Sequence, residues 1–120
     1  MNIARAAGGY LVVTLKGVVD YDTVHRLLIR EIARPDFLHS NDIWHFVGCL
    51  PDLHFDELDA IVQDIARVYP DGATRKRTAL VVEPGLMGAM VNLWVEHARE
   101  LPFEVKVFEV YDEAVDWVTS

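Results

Sequence analysis

The chain has 120 residues with 19 acidic and 11 basic side chains, so its formal net charge is −8 at pH 7. This length is typical of one domain and the 52% hydrophobic content excludes a disordered chain, so we predict a single domain over residues 1–120. The one dense basic cluster, Arg75, Lys76 and Arg77, is expected to lie in a solvated loop, and we expect no binding to nucleic acid or to an anionic membrane surface.

The sequence favours a cytoplasmic protein. Cys49 is the only cysteine, so no disulfide can form within the chain. No apolar stretch approaches the roughly 18 residues of a membrane span. The first residues, from Met1 to Arg5, do not have the pattern of a signal peptide. We expect no cofactor.

Apolar periodicity and turn residues predict nine elements. In chain order they are strands over residues 3–6 and 10–15, a helix to about residue 34, a strand over 43–47, a helix over 55–69, a strand over 78–82, a helix over 86–101, a strand over 104–110 and a helix over 112–119. Gly17 and Gly48 are predicted to end the second and third strands. Asp20 or Asp22 is predicted to cap the first helix, and Asp112 the last one.

Strands that alternate with helices indicate an α/β fold. Connections between parallel strands are right-handed, so the order predicts a mainly parallel sheet of four or five strands with an N-terminal hairpin at one edge and about four helices. Apolar residues at helical spacing mark the helix faces that cover this sheet. In the first helix that stripe consists of Val24, Leu27, Leu28 and Ile32.

Six segments carry a family resemblance. They are residues 11–17 (LVVTLKG), 34–37 (RPDF), 44–48 (WHFVG), 78–84 (TALVVEP), 107–109 (VFE) and 114–118 (AVDWV). With them the chain resembles the SpoIIAA-like family of small bacterial α/β proteins, which is STAS-like and SEC14-like. The resemblance implies a four- or five-stranded sheet with helices on its faces. The serine that is phosphorylated in STAS-type antagonists has no counterpart, because residues 48–55 contain neither Ser nor Thr.

Acidic residues follow the predicted strands at the sheet edge where α/β proteins bind ligands. They are Asp20, Asp22, Asp52, Glu83 and Asp112. These carboxylates could hold a cation, but Asp is also the usual residue at a helix start, where it accepts bonds from free N–H groups and offsets the helix dipole. We favour capping, because the spacing defines no ligand cage.

A second candidate site contains His45, Cys49 and His54, whose side chains could bind zinc or support a thiol nucleophile. The spacing matches no common zinc motif. His45 is predicted to lie on the strand face opposite Trp44 and Phe46, with Cys49 beyond the strand end. We favour a packed cysteine and two ordinary histidines.

The helix predicted over residues 86–101 has a stripe rich in Met and Trp. Core packing against the sheet is the simpler interpretation of that stripe. Met and Trp are also enriched where proteins bind partners. The predicted interaction surface consists of Met87, Val91, Trp94 and His97, with Cys49 and His54 from the adjoining loop.

The sequence carries no convincing catalytic set, so we expect a non-enzymatic interaction or regulatory module that binds a protein partner and could form a homodimer. The alternative is a carrier of a small apolar or lipid-like molecule, in line with the SEC14-like side of the resemblance, with bulky side chains lining a pocket. A thiol- or metal-dependent enzyme that uses Cys49, His45 or His54 is the third interpretation.

Overall fold

The structure, a computed structural model, describes residues 2–72 and 76–120. Its strands are β1 (Asn2–Arg5), β2 (Leu11–Asp20), β3 (Asp42–Asp52), β4 (Arg77–Val81) and β5 (Glu104–Phe108). Its helices are α1 (Tyr21–Ile32), α2 (Phe55–Val68), α3 (Leu86–His97) and α4 (Tyr111–Thr119), with short 3₁₀ turns at Phe37–His39 and Ala98–Glu100. The predicted α/β class, the mainly parallel sheet and the four helices are confirmed.

The five strands lie in the order β1-β2-β3-β4-β5, and only the edge strand β1 is antiparallel to its neighbour. Because right-handed crossovers between successive parallel strands all turn to the same side, α1, α2 and α3 share one face of the sheet. These three helices pack side by side, α1 on α2 and α2 on α3. Helix α4 follows the last strand and contacts β3, β4 and β5.

Strand alternation divides the apolar residues between two cores. Trp44 and Phe46 belong to the larger core, beneath α1, α2 and α3. Ile43 belongs to the smaller core, where it packs with Ala114 and Val118 of α4. Each face of the central strand β3 is therefore covered by helices, which explains why Ile43 and Trp44, on opposite faces, are both apolar.

Strands β2 and β3 continue beyond the glycines that were predicted to end them, so that prediction is wrong. The register passes from Lys16 opposite Val47 to Gly17 opposite Cys49, and leaves Gly48 as an extra residue. Gly17 and Gly48 have φ of 75° and 57°, a region that glycine enters without a steric penalty. The result is a bulge within the strand pair. Strand β4 pairs with β3 only as far as His45, so the ends of β2 and β3 project as a two-stranded ribbon.

The observed helix starts agree only partly with those predicted from the sequence. Asp20 caps α1 as predicted, since its Oδ1 accepts a hydrogen bond of 2.8 Å from the Thr23 N–H. Hydrogen bonds from the Thr23 side chain and from this N–H lower the pKa of the Asp20 carboxyl. The cap predicted at Asp112 is wrong, because α4 starts one residue earlier and its N-cap is Val110. None of the helices in the described ranges combines the length and apolar character needed to cross a membrane.

The described members of the basic cluster do not lie in a solvated loop. Arg75 lies outside the described residues. Lys76 is buried, and Arg77 begins β4. The Arg77 guanidinium donates to the Trp117 carbonyl oxygen at 2.9 Å, so it ties β4 to α4 instead of forming part of a positive surface.

Candidate ligand-binding cavity

A cavity of about 90 Å³ lies between the sheet and helices α1, α2 and α3. Most of its lining is apolar and includes Val19, Leu28, Phe46, Leu58, Ile65 and Leu80. A single water needs about 10–15 Å³, whereas an engineered cavity of about 150 Å³ takes up benzene. The volume of this cavity lies between these two values, which leaves room for a small apolar group. Met87 and Met90 form part of the wall, and their flexible side chains can adapt to a larger occupant.

Four polar residues line one end of this cavity at the start of β3 and β4: Glu31, Asp42, Lys76 and Thr78. All four are buried. The Asp42 carboxylate accepts a hydrogen bond of 2.5 Å from Thr78 Oγ1 and lies 3.6 Å from Lys76 Nζ. Lys76 Nζ also lies 3.2 Å from the centroid of the Phe37 ring. Removing two charges from water is costly, so their ion pair and hydrogen bonds are needed to keep them in this apolar interior.

Glu31 projects from α1 into this polar end and is only 1% exposed. Burial raises the pKa of its carboxyl well above the ordinary value, and the neighbouring Asp42 carboxylate, with which it hydrogen-bonds, raises it further. Lys76 and a hydrogen bond from Trp44 act in the opposite direction. Because burial dominates, the uncharged acid is favoured. Glu31 Oε2 has no hydrogen-bond partner within the described part of the chain.

Trp94 approaches the same cavity from α3. Its indole packs against the larger core, and its Nε1–H is a buried donor without a partner among residues 2–72 and 76–120. Buried polar atoms are nearly always hydrogen-bonded. The cavity thus contains two exceptions, the Trp94 donor and the Glu31 oxygen, and both residues face one small space.

The residues predicted for an interaction surface on α3 divide into two groups. Met87 and Val91 are buried and line the cavity, so they belong to the core and offer no open surface. Trp94 is partly buried and lines the cavity as well. His97 is more exposed, with Nδ1 3.9 Å from Asp59 Oδ1 on α2. The Met- and Trp-rich stripe therefore faces the sheet, as the core-packing interpretation predicts.

His45, Cys49 and His54 do not form a site. His45 lies on the α4 face, as predicted, with its ring 4.8 Å from that of Tyr111, and burial lowers its pKa. Cys49 lies within β3, not beyond its end, and packs against the larger core on the opposite face. Its thiol donates to the Leu15 carbonyl oxygen at 3.3 Å, and burial raises its pKa. The exposed His54 is the N-cap residue of α2.

The acidic residues that follow the strands are likewise not assembled. Asp20 caps α1, and Asp22 accepts a hydrogen bond of 2.8 Å from Arg26 Nε one turn later. Within residues 2–72 and 76–120, no group of three or more His, Cys, Asp or Glu side chains is placed to hold a metal ion.

A groove of about 220 Å³ lies next to the cavity, between the ribbon end of β3 and the start of α3. Cys49 and Leu50 line one side, and Pro84 and Leu86 line the other. Leu50 is 59% exposed and Leu86 is 73% exposed. Phe46 and Met87 line both the groove and the cavity, so these two side chains separate one from the other.

The sequence did not reveal the buried polar residues. Glu31 does carry a signal, since it lies three and four residues after Leu28 and Leu27 and so falls on the apolar stripe of α1. Lys76 and Thr78 carry none, because a charged residue before a strand and a threonine within it are common on protein surfaces.

Fold and site together define an α/β protein with a mostly apolar cavity between its sheet and three helices, one end of which is polar. Comparison of the chain with protein-family models, with the curated proteins and with solved structures finds no match.

Proposed function

We propose that this protein binds a small apolar molecule in the cavity between the sheet and helices α1, α2 and α3, and acts as a carrier or a ligand-responsive module. The main support for this proposal is the cavity itself. Ligand sites are concave, mostly apolar and supplied with a few polar groups that orient the ligand. A fully packed interior would have argued against a carrier, and the space beside Leu28, Val91 and Leu80 argues for one.

The SEC14-like side of the sequence resemblance agrees with this proposal, and we propose that the fold is related to the SpoIIAA-like type. We propose no catalytic step for this protein. Cys49 and His45 point to opposite faces of β3, and partial burial raises the pKa of the Cys49 thiol.

Toluene is a suitable first probe, because it is small and uncharged and the flexible Met87 and Met90 side chains in the wall can adapt to it. We expect a ¹H–¹³C methyl NMR titration of the intact protein to move the signals of cavity residues such as Val19, Leu28 and Leu80. Signals of Val118, in the smaller core, should stay in place. Because toluene binds only the folded state, it should also raise Tm. Unchanged methyl signals at millimolar toluene would refute the proposal.

A pair of variants on α3 tests the location. Val91→Phe places a ring in the cavity, whereas Leu93→Phe adds the same ring at a position that is partly exposed and outside the cavity lining. We expect Val91→Phe to abolish the toluene response and Leu93→Phe to retain it. Overpacking can cost about 1–3 kcal/mol, so the fold of both variants is first checked by their NMR spectra.

We propose a protein-interaction surface at the groove as the second candidate function. Its support is the pair of exposed side chains Leu50 and Leu86, which line one groove together with Cys49. A second copy of the chain is the simplest occupant to test. Sedimentation equilibrium should give a mass that rises with concentration and falls to that of a monomer in Leu86→Ser but not in Leu93→Ser. A monomeric wild-type protein at all concentrations would remove the homodimer.

A further inference from the structure

We propose that the ligand of this cavity is an uncharged apolar compound with a hydroxyl group, which donates its proton to Glu31 Oε2 and accepts a hydrogen bond from Trp94 Nε1. This inference rests on the proposed function and adds the chemical class of the ligand. It starts from the two buried atoms that lack partners in the described structure, one on α1 and one on α3.

Glu31 presents a hydrogen-bond acceptor. Its carboxyl group is favoured in the protonated form, and because the Asp42 carboxylate can only accept, a hydrogen bond between the two groups uses that proton. The oxygen without a partner is then the carbonyl oxygen of the acid, which has lone pairs and no proton to give. A ligand that completes this site must therefore supply a donor.

Trp94 presents the opposite requirement. Its indole Nε1–H can only donate, so a ligand that completes this side must supply an acceptor. A hydroxyl group is both donor and acceptor. Glu31 and Trp94 line the same cavity of about 90 Å³, so we infer that one hydroxyl-bearing ligand meets both requirements.

The buried charges favour a neutral ligand. The Lys76 ammonium is engaged by the Asp42 carboxylate and by the face of the Phe37 ring. An anionic ligand would add a second negative charge beside Asp42 with no cation left to balance it. A cationic ligand would add an uncompensated positive charge beside Lys76. Either would bear the full cost of burying an unpaired charge.

Toluene, phenol and benzoate test this assignment at pH 7, since they share a ring and differ in one substituent. Phenol leaves water less readily than toluene, so a cavity without polar partners binds toluene more tightly. We expect NMR titration to show phenol binding more tightly than toluene, and no binding of benzoate.

Variants identify the two contacts. Trp94→Phe removes the donor and should lower the phenol-to-toluene affinity ratio about fivefold, the effect of one hydrogen bond. Trp117→Phe, on the α4 face, is the matched control and should leave the ratio unchanged. Glu31→Gln keeps a carbonyl oxygen and a donor toward Asp42, so it should preserve the ratio, whereas Glu31→Leu should lower it.

The outcomes separate the two proposals. If toluene binds and the ratio is the same in Trp94→Phe and Trp117→Phe, the cavity binds apolar ligands but the hydroxyl assignment is wrong. Tighter binding of benzoate than of phenol would likewise overturn it, in favour of an anion site. If neither toluene nor phenol binds, the proposed function fails together with this inference.

Discussion

Thr78 donates a hydrogen bond of 2.5 Å from its Oγ1 to Asp42 Oδ1, and the two residues are register partners in the parallel strands β3 and β4. Both side chains are buried at the polar end of the cavity. The bond therefore joins the two central strands and at the same time holds the carboxylate that pairs with Lys76. The stability of the sheet and the arrangement of the cavity depend on the same group.

We expect Thr78→Val to lower the free energy of unfolding by about 1–3 kcal/mol, because Asp42 loses a buried hydrogen bond while the shape of the side chain is kept. Urea unfolding followed by circular dichroism measures this change. Thr14→Val is the matched control, since Thr14 lies in the neighbouring strand β2 and its hydroxyl makes no side-chain hydrogen bond in the described structure. Equal stabilities of the two variants would contradict the expectation.

Lys76→Met should be more damaging than Thr78→Val. Removal of one partner from a buried ion pair leaves an uncompensated charge, at a cost of about 3–5 kcal/mol. The double variant Asp42→Asn/Lys76→Met removes both charges and should recover part of this loss. Lys106→Met, at an exposed position in β5, should have little effect. Thermal and urea unfolding test all three, and a double variant no more stable than Lys76→Met would argue against the pairing.

The raised pKa of Glu31 gives a pH dependence with a defined sign. Above the ordinary value of 4.5 and below its raised folded value, this carboxyl binds more protons in the folded than in the unfolded state. Its contribution to stability is therefore present at low pH and is lost as the pH rises through the folded pKa. Asp42, Lys76 and Trp44 face the same carboxyl, and Glu31→Gln leaves them in place.

We accordingly expect the stability of the wild type, relative to Glu31→Gln, to decline as the pH rises from 4.5 through the raised pKa of the folded protein. Urea unfolding at a series of pH values measures the difference. Glu113→Gln, at an exposed position in α4, serves as the control for the loss of one surface carboxyl. A wild-type curve parallel to that of Glu31→Gln would show that Glu31 titrates as an ordinary carboxyl.

Cys49 should react slowly. Its thiol is half-buried, donates to the Leu15 carbonyl oxygen and has a raised pKa, so little of the reactive thiolate forms near neutral pH. We expect alkylation by iodoacetamide at pH 8 to be about tenfold slower in the folded protein than in urea. His45→Ala should not alter the rate, because His45 lies on the other face of β3. A folded protein that reacts as fast as the unfolded chain would reopen the thiol-enzyme interpretation.

Much of the fold was predictable because each element has a local signal. The stripe of Leu58, Ile61, Val62 and Ile65 marks α2, and the apolar run of β4 marks a strand covered on both faces. The strand ends at Gly17 and Gly48 were wrong because glycine usually interrupts a strand, whereas here two positive φ angles form a bulge and the pairing continues. That outcome depends on a partner strand distant in sequence.

The candidate site was less predictable, for a related reason. The apolar stripe predicted for the first helix ended with Ile32. In the structure, the side chain of Glu31 is buried more deeply than that of Ile32. The role of a glutamate on an apolar helix face becomes clear only in the folded protein, where Asp42 and Lys76 from other elements lie beside it. The cavity, likewise, arises from the distance between two layers and not from any single residue. The family resemblance, the partner and the homodimer stay predictions.

The strand order β1-β2-β3-β4-β5 follows the order of synthesis, with consequences for how the protein emerges from the ribosome. Each new strand adds to the free edge of the sheet already made. The apolar face formed by Ile43, Ala79 and Val81 is complete once β4 is made, yet Ala114 and Val118, which cover it, come more than thirty residues later. At roughly 5–20 residues per second the growing chain exposes that strip for a few seconds. Chains stalled before α4 are therefore the ones we expect chaperones to retain.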